Sequence, residues 1–135
     1  MAQAKYIVVV GCGRLGGNLA NYLSASVHSV VVMDQRESAF DKLTSDFTGF
    51  KVIGDATELS VLKEAHPEKA DYLFAVTTHD STNLMVAQVA QTEFKVPHVV
   101  ARVFDPLREE IYRELGVQTI SPTKLAAKAF LNIIQ

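Results

Sequence analysis

Six short runs rich in β-branched residues punctuate the chain: YIVVV at 6–10, SVVVMD at 29–34, KVIG at 51–54, DYLFAVT at 71–77, HVVARV at 98–103 and VQTIS at 117–121. Their apolar character is nearly continuous, the pattern of strands covered on both faces, as parallel strands are. The covers lie between them. Leu15, Leu19, Tyr22 and Leu23 recur at helical spacing, as do Phe40, Leu43 and Phe47, then Leu59, Leu62 and Ala65, then Leu84, Ala87, Val89, Ala90 and Phe94. A fifth helix has readable ends: Asp105 as N-cap, Pro106 at the first helical position, Leu107, Ile111 and Leu115 as its stripe, Gly116 as its stop. This alternation predicts an α/β fold, a doubly wound six-stranded parallel sheet with right-handed crossovers and helices on both faces.

The chain's 135 residues make one domain that can bury a core without disulfides or metal. With 13 basic and 15 acidic residues spread along the chain, the net charge of -2 leaves no electrostatic footprint for nucleic acid or an anionic membrane. The single cysteine, Cys12, excludes an internal disulfide and fits a reducing compartment. No apolar run reaches the roughly 18 residues of a spanning helix, and MAQAKYIVVVG is too short in its apolar part for a signal peptide. The expectation is a cytosolic chain without direct membrane insertion.

Between the first strand and its helix stands GCGRLG, residues 11–16, whose glycines Gly11, Gly13 and Gly16 fit the G-x-G-x-x-G pattern in the context its mechanism needs. Gly11 allows a tight turn, Gly13 lets backbone approach a pyrophosphate, and Gly16 lets helix pack on sheet. The helix N-terminus then offers N–H groups and a positive dipole end to phosphate. Arg14 either adds a charge-assisted fork or is a solvated surface residue; Cys12 reads as a small turn residue. Asp34 closes the second strand 21 residues after Gly13, where a carboxylate accepts from ribose hydroxyls and repels a 2′-phosphate. This favours NAD or a plain adenine nucleotide over NADP, although Arg36, two residues on, keeps NADP open.

Ligands of open α/β sheets sit beyond the carboxyl ends of the strands. After the third strand, Asp55 and Thr57 could reach an adenine ring, while Asp55 and Glu58 also have the spacing of a capping box. After the fourth, Thr77, Thr78, Asp80 and Asn83 are placed to face a ribose or phosphate, with Asp80 or Ser81 equally able to cap the helix. His79 is the histidine expected on the ligand side. No metal cluster, nucleophile elbow or carboxylate pair stands out. Nor is there a further domain or long insertion to build a substrate pocket over a nicotinamide, so the site is expected to bind without transforming. Finally, TKLAAKAFLNIIQ gathers Leu125, Ala126, Ala129, Phe130, Ile133 and Ile134 on one apolar face. Such a face must dock, on its own sheet or on a second subunit, because burying each large side chain is worth roughly 1.5–3 kcal/mol.

Taken together the motifs resemble the RCK domain, also called KTN or TrkA-N, over nearly the whole chain. VVVGCGRLG resembles its nucleotide turn, VVVMD its second strand, GDAT and ADYLFAVTTHDSTNL its third and fourth strands with their loops, VVARVFDP its fifth strand and LGVQTISP its sixth. The order GDAT, T-x-x-D-x-x-N, A-R-V-x-D-P and G-V-x-x-x-x-S-P is the discriminating part. The resemblance implies a Rossmann-like fold: a nucleotide-binding N-lobe over 1–120 and, at 121–135, an apolar helix that crosses between subunits.

It further implies a cytoplasmic gating module, peripheral to the membrane, for a potassium channel or transporter subunit. The module would bind NAD(H) or ATP, ADP or AMP and assemble as a dimer, tetramer or octameric ring. Carried onto matching positions, Gly11, Cys12, Gly13, Arg14, Leu15 and Gly16 would hold phosphates and Asp34, Gln35 and Arg36 the ribose side. Asp55, Ala56 and Thr57 would meet adenine, Thr77, Thr78, Asp80 and Asn83 would line the remaining wall, and Arg102 would approach phosphate from the fifth strand. The family's C-terminal lobe and any pore segment lie outside these residues. The rival readings are a small NAD-dependent oxidoreductase in which His79 moves a proton, and a sensor of the NADH to NAD ratio.

Overall fold

All six expected strands form: β1 Tyr6–Val10, β2 Ser29–Asp34, β3 Phe50–Ile53, β4 Tyr72–Ala75, β5 His98–Arg102 and β6 Gln118–Ile120. The computed structural model describes residues 3–135, so Met1 and Ala2 of the expected N-lobe lie outside the described residues. Every strand pairing is parallel, in the order β3-β2-β1-β4-β5-β6. The chain therefore steps outward from β1 to β3, returns across the sheet, and steps outward again from β4 to β6. Connections leaving β1 and β4 diverge at that reversal and open a crevice above the carboxyl edge.

The helices are α1 Arg14–Ala25, α2 Leu59–Leu62, α3 Asp80–Thr92, α4 Pro106–Glu114 and α5 Pro122–Ile134. Alternate residues of the inner strands serve two cores. Val8, Val10, Val31, Met33, Leu73 and Ala75 pack with Leu62 of α2, Val86, Ala87 and Ala90 of α3 and Tyr112 of α4. On the other face Ile7, Val9, Val30 and Val32 pack with Ala20 of α1 and with Phe40. Beyond α1 this second face thins out, and Phe74, Val100 and Ile120 border a groove of about 160 Å³.

Three elements depart from the pattern. The expected helix around Phe40, Leu43 and Phe47 is a 3₁₀ turn over Glu37–Lys42. Asn21 of α1 explains its arrest, donating to the Lys42 carbonyl and accepting from the Thr44 N–H, so side-chain bonds replace the next helical turn. In α4 the ends are as expected: Asp105 accepts from Leu107 N–H at 3.0 Å and Gly116 takes φ +80°. Its stripe, however, faces outward, with Leu107, Ile111 and Leu115 at 84, 55 and 49% exposure. The sheet side belongs to Tyr112, whose ring is buried and whose hydroxyl donates to the Asp80 carbonyl at 2.8 Å. A ring that can also satisfy a buried carbonyl wins the inward position over a row of aliphatics.

The third departure is α5, which does not fold back. Its start is fixed: the Ser121 hydroxyl accepts from Lys124 N–H, Pro122 occupies the first turn, and the Lys124 ammonium sits 3.0 Å from Glu109. From residue 123 onward every residue is exposed. No helix among the described residues is long and apolar enough to cross a membrane.

Candidate functional site: a crevice at the carboxyl edge

The crevice encloses about 390 Å³, bounded by the ends of β1, β2, β3 and β4. Its floor is the glycine turn. Gly11 takes φ +105°, which side chains avoid, with Thr77 backbone atoms 2.9 Å from where a Cβ would stand. At Gly16 a Cβ would collide with the Gly11 carbonyl oxygen, so the turn closes only with glycine there. Gly13 is different. A Cβ added to it would meet nothing within 4 Å, and its backbone is extended. Gly13 precedes α1 without offering a cap, and no side chain accepts from the first turn of that helix. The first-turn N–H groups, lacking intrahelical partners, are thus available to an anion in open space beside Gly13.

Asp34 stands opposite. One carboxylate oxygen accepts from Cys12 N–H and the other from Arg36 N–H, each at 2.9 Å, so the acid is held by the turn it faces. A carboxylate has further lone pairs, which leaves capacity for ribose hydroxyls. Arg36 hangs outward, its Nε 4.0 Å from Asp34 and its side chain 73% exposed. Cys12 is fully buried, and burial, reinforced by Asp34, pushes its thiol pKa up; it is a packing residue beneath the turn rather than a thiolate.

The β3 wall is Gly54, Asp55 and Ala56. The capping box expected from Asp55 and Glu58 is absent: the Asp55 carboxylate accepts from the Thr57 hydroxyl at 2.6 Å and from Thr57 N–H at 2.9 Å. These bonds, the hydroxyl's foremost, pull the Asp55 pKa below the ordinary carboxylate range. Glu58, the residue before α2, caps nothing with its side chain. The Asp55 carboxylate is spent on Thr57 and the Glu58 N–H donates to the Asp55 main-chain carbonyl instead, so no box closes.

Along β4 the crevice is lined by Val76, Thr77, Thr78, His79 and Thr82. Asp80 and Asn83, expected on this wall, point into the protein. Asn83 is fully buried; its amide oxygen accepts from Thr77 N–H and hydroxyl, and its amide nitrogen donates to the carbonyls of Thr77 and Arg102. Asp80 accepts from Phe104 N–H at 2.8 Å and from Asp105 N–H at 3.2 Å. Both residues tie the end of β4 to the end of β5.

Arg102 also lies off the crevice: its side chain borders the groove beside Leu15 and Leu19, with its guanidinium carbon 4.1 Å from the Phe104 ring centre. Burial lowers its pKa, Asp80 opposing. Arg14 is exposed, and neither it, Leu15 nor Thr57 contributes to the lining. The crevice therefore joins Gly11, Gly13, Asp34, Gln35, Arg36, Asp55, Ala56, Thr77 and Thr78 and leaves the other expected residues behind or beside it. Gly54 and Thr82 were not singled out in the sequence. Gly54 had a usable signal, a glycine at the end of a strand, whereas Thr82 had none apart from its place one residue before Asn83.

His79 lines the rim, and its backbone N–H donates to the Thr77 hydroxyl. Among the described residues no group of three His, Cys, Asp or Glu side chains could hold a metal ion.

A glycine turn at a helix start, facing a β2 acid where a parallel sheet of this strand order reverses, defines the Rossmann class of fold. Within it the chain belongs to the TrkA-N domain family, whose model matches residues 7–122. It is 38% identical over 127 residues, 94% of its own length, to the Trk system potassium uptake protein TrkA of Streptomyces coelicolor, and spans 57% of that relative.

Among solved structures, the TrkA-N domain of the inner membrane protein ybaL from Escherichia coli superposes with TM-score 0.86 at 21% identity, each chain covered completely. The Kef C-terminal domain of Shewanella denitrificans in AMP-bound form gives 0.78 at 24% identity, covering 90% of this chain and 74% of that one. The GsuK channel bound to NAD gives 0.72 at 21%, covering 87% and 21%. At these identities the structures share the fold.

Proposed function

We propose that this domain is the ligand-binding regulatory element of a potassium uptake channel or transporter, and that its crevice takes NAD(H) or ATP, ADP or AMP without chemical turnover. The observation that carries the reading is the uncapped start of α1 opening onto free space at Gly13 beside Asp34. Main-chain N–H groups of the first turn hold phosphate there, Asp34 holds ribose, and Gly54, Asp55 and Ala56 form the slot for adenine. Support for the class of ligand comes from the AMP-bound and NAD-bound proteins of the same fold, and for the class of partner from the TrkA relative.

In the same reading the N-lobe is 1–120, and 121–135 is an intersubunit element that joins two or more copies at the cytoplasmic side of the membrane. The support is α5 itself, anchored at Ser121 and Glu109 and otherwise bare, with Leu125 60%, Phe130 72%, Ile133 81% and Ile134 81% exposed. Regulation follows if the crevice has unequal affinity for two placements of the paired lobes, which α5 connects to the pore.

Isothermal titration with NADH, NAD, AMP, ADP and ATP tests the ligand claim: binding by at least one is expected, and none bound at millimolar concentration overturns it. Sedimentation of the Phe130→Ser, Ile133→Ser, Ile134→Ser triple variant tests the assembly. A shift from oligomer to monomer with the thermal midpoint retained is expected; an unchanged oligomer excludes α5 as the joint.

A further inference from the structure

We infer that α1 and Val76 are read from both sides: the groove behind them seats apolar side chains of α5 from a second copy of this chain, and filling it tightens nucleotide binding in the crevice. This rests on the reading of the crevice as a nucleotide site and of α5 as an intersubunit element, and adds where α5 lands and what its landing does. The groove lies on the sheet face that α1 covers only in part, walled by Leu15, Leu19, Phe74, Val76, Val100 and Ile120. The same chain carries a matching surface, since Phe130, Leu131, Ile133 and Ile134 of α5 are 58–81% exposed. Its own α5 is held away from its own groove. Lys124, in the first turn of α5, sits 3.0 Å from Glu109 of α4, whose carboxylate is only 12% exposed and also accepts from the Thr119 hydroxyl. α4 covers the opposite face of the sheet, where its Tyr112 joins the other core. A second copy has no such restriction, and exchange of α5 about a twofold axis fills both grooves at once. With the walls they cover, these side chains are on the scale of the roughly 1,200–2,000 Å² that a stable interface buries.

The groove and the crevice share structure. Val76 lines both. Leu15, in the first turn of α1, lines the groove, while the uncapped start of that helix opens onto the crevice at Gly13. Between the two there is no slack: a Cβ on Gly16 would stand 3.2 Å from a Val76 methyl and overlap the Gly11 carbonyl. A side chain seated against Leu15 and Val76 therefore fixes from behind the turn that a phosphate holds from the front. Whichever arrives first bears the cost of ordering that turn, and the second then binds more tightly. By reciprocity, a nucleotide strengthens pairing by the same factor that pairing strengthens nucleotide binding.

Sedimentation equilibrium of the full chain, alone and saturated with AMP, ADP or NADH, reads the link. A nucleotide that binds is expected to lower the dimer dissociation constant by about fivefold or more; an unchanged or raised constant overturns the inference. Ile120 belongs to the groove wall and not to the crevice. Ile120→Ser should weaken pairing by about tenfold or more. At a protein concentration where only the parent is paired, it should also weaken nucleotide binding by about fivefold; affinity equal to the parent's despite lost pairing overturns the link. Isotope-filtered NMR on a mixture of labelled and unlabelled chains locates the seat. Methyl contacts between Ile120 and α5 are expected across chains, and contacts found only within one chain, or none, overturn the exchange. Failure of every nucleotide to bind would instead sink the proposed function while the methyl contacts still judge the seat, so the two failures are distinguishable.

Discussion

Two strand-to-helix turns at the carboxyl edge use the same architecture and differ in what their side chains do. At β1–α1 the first helical turn has no side-chain cap, because the residue before it is Gly13. At β4–α3 the helix opens with Asp80 and carries Asn83 one turn on, and between them these side chains bind the main chain of Thr77, Arg102, Phe104 and Asp105. Both helix starts are without a side-chain cap, and Thr78, His79 and Thr82 still line the crevice; the difference is that the second turn also spends two buried side chains on joining β4 to β5. A buried polar group has to be paired, and Asp80 and Asn83 find their partners in main chain that folding brings to them from β4 and β5.

The largest effect should come from breaking the open turn itself. Gly16→Ala places a methyl on the Gly11 carbonyl and is expected to cost about 3 kcal/mol or more, read from urea unfolding. Breaking the tie between β4 and β5 comes next. Asn83→Ala takes the partner from the half-buried Thr77 N–H and Arg102 carbonyl, for about 1–3 kcal/mol, and should lower nucleotide affinity less than it lowers stability.

Gly13→Ala sharpens the contrast. Its methyl meets no protein atom within 4 Å, so stability should stay within about 1 kcal/mol of the parent, while nucleotide affinity drops by about tenfold or more as the methyl fills the phosphate cradle. Equal affinity in that variant would place the phosphates elsewhere.

The smallest effect concerns acid. The folded-state pKa of Asp55 is depressed by Thr57, so its contribution to stability is present above the unfolded-state pKa and fades as pH falls through the folded one. Thr57→Val should raise the Asp55 pKa toward the ordinary carboxylate value in an NMR titration, and weaken the dependence of the thermal midpoint on pH at the acid end. An Asp55 pKa unmoved by that change would mean the hydroxyl bond is unimportant.

Strand positions, parallel pairing and the glycine turn were legible because each rests on local rules. Val-rich runs without alternation mean two covered faces, and three glycines between strand and helix mean a close backbone turn. Asp34 was legible for the same reason, as the last residue of a strand whose partner is the turn. Helix burial was not legible to the same degree. The stripe of Leu107, Ile111 and Leu115 has proper spacing and faces outward, since Tyr112 alone on α4 can fill the core and also reach the Asp80 carbonyl. The stop after Lys42 was hidden because it depends on Asn21, distant in the chain.

The sequence by itself determined the class of fold, the order of its elements and the turn with its facing acid, because these follow from periodicity, from φ preferences and from residues close in the chain. Only the tertiary structure decided that Asp80 and Asn83 face inward, that Arg102 turns onto Phe104, and that α5 finds no cover on its own sheet. A polar side chain near a strand end is equally suited to a ligand and to a neighbouring loop. Which one it meets depends on the main-chain groups that folding brings within reach, and no local pattern records them.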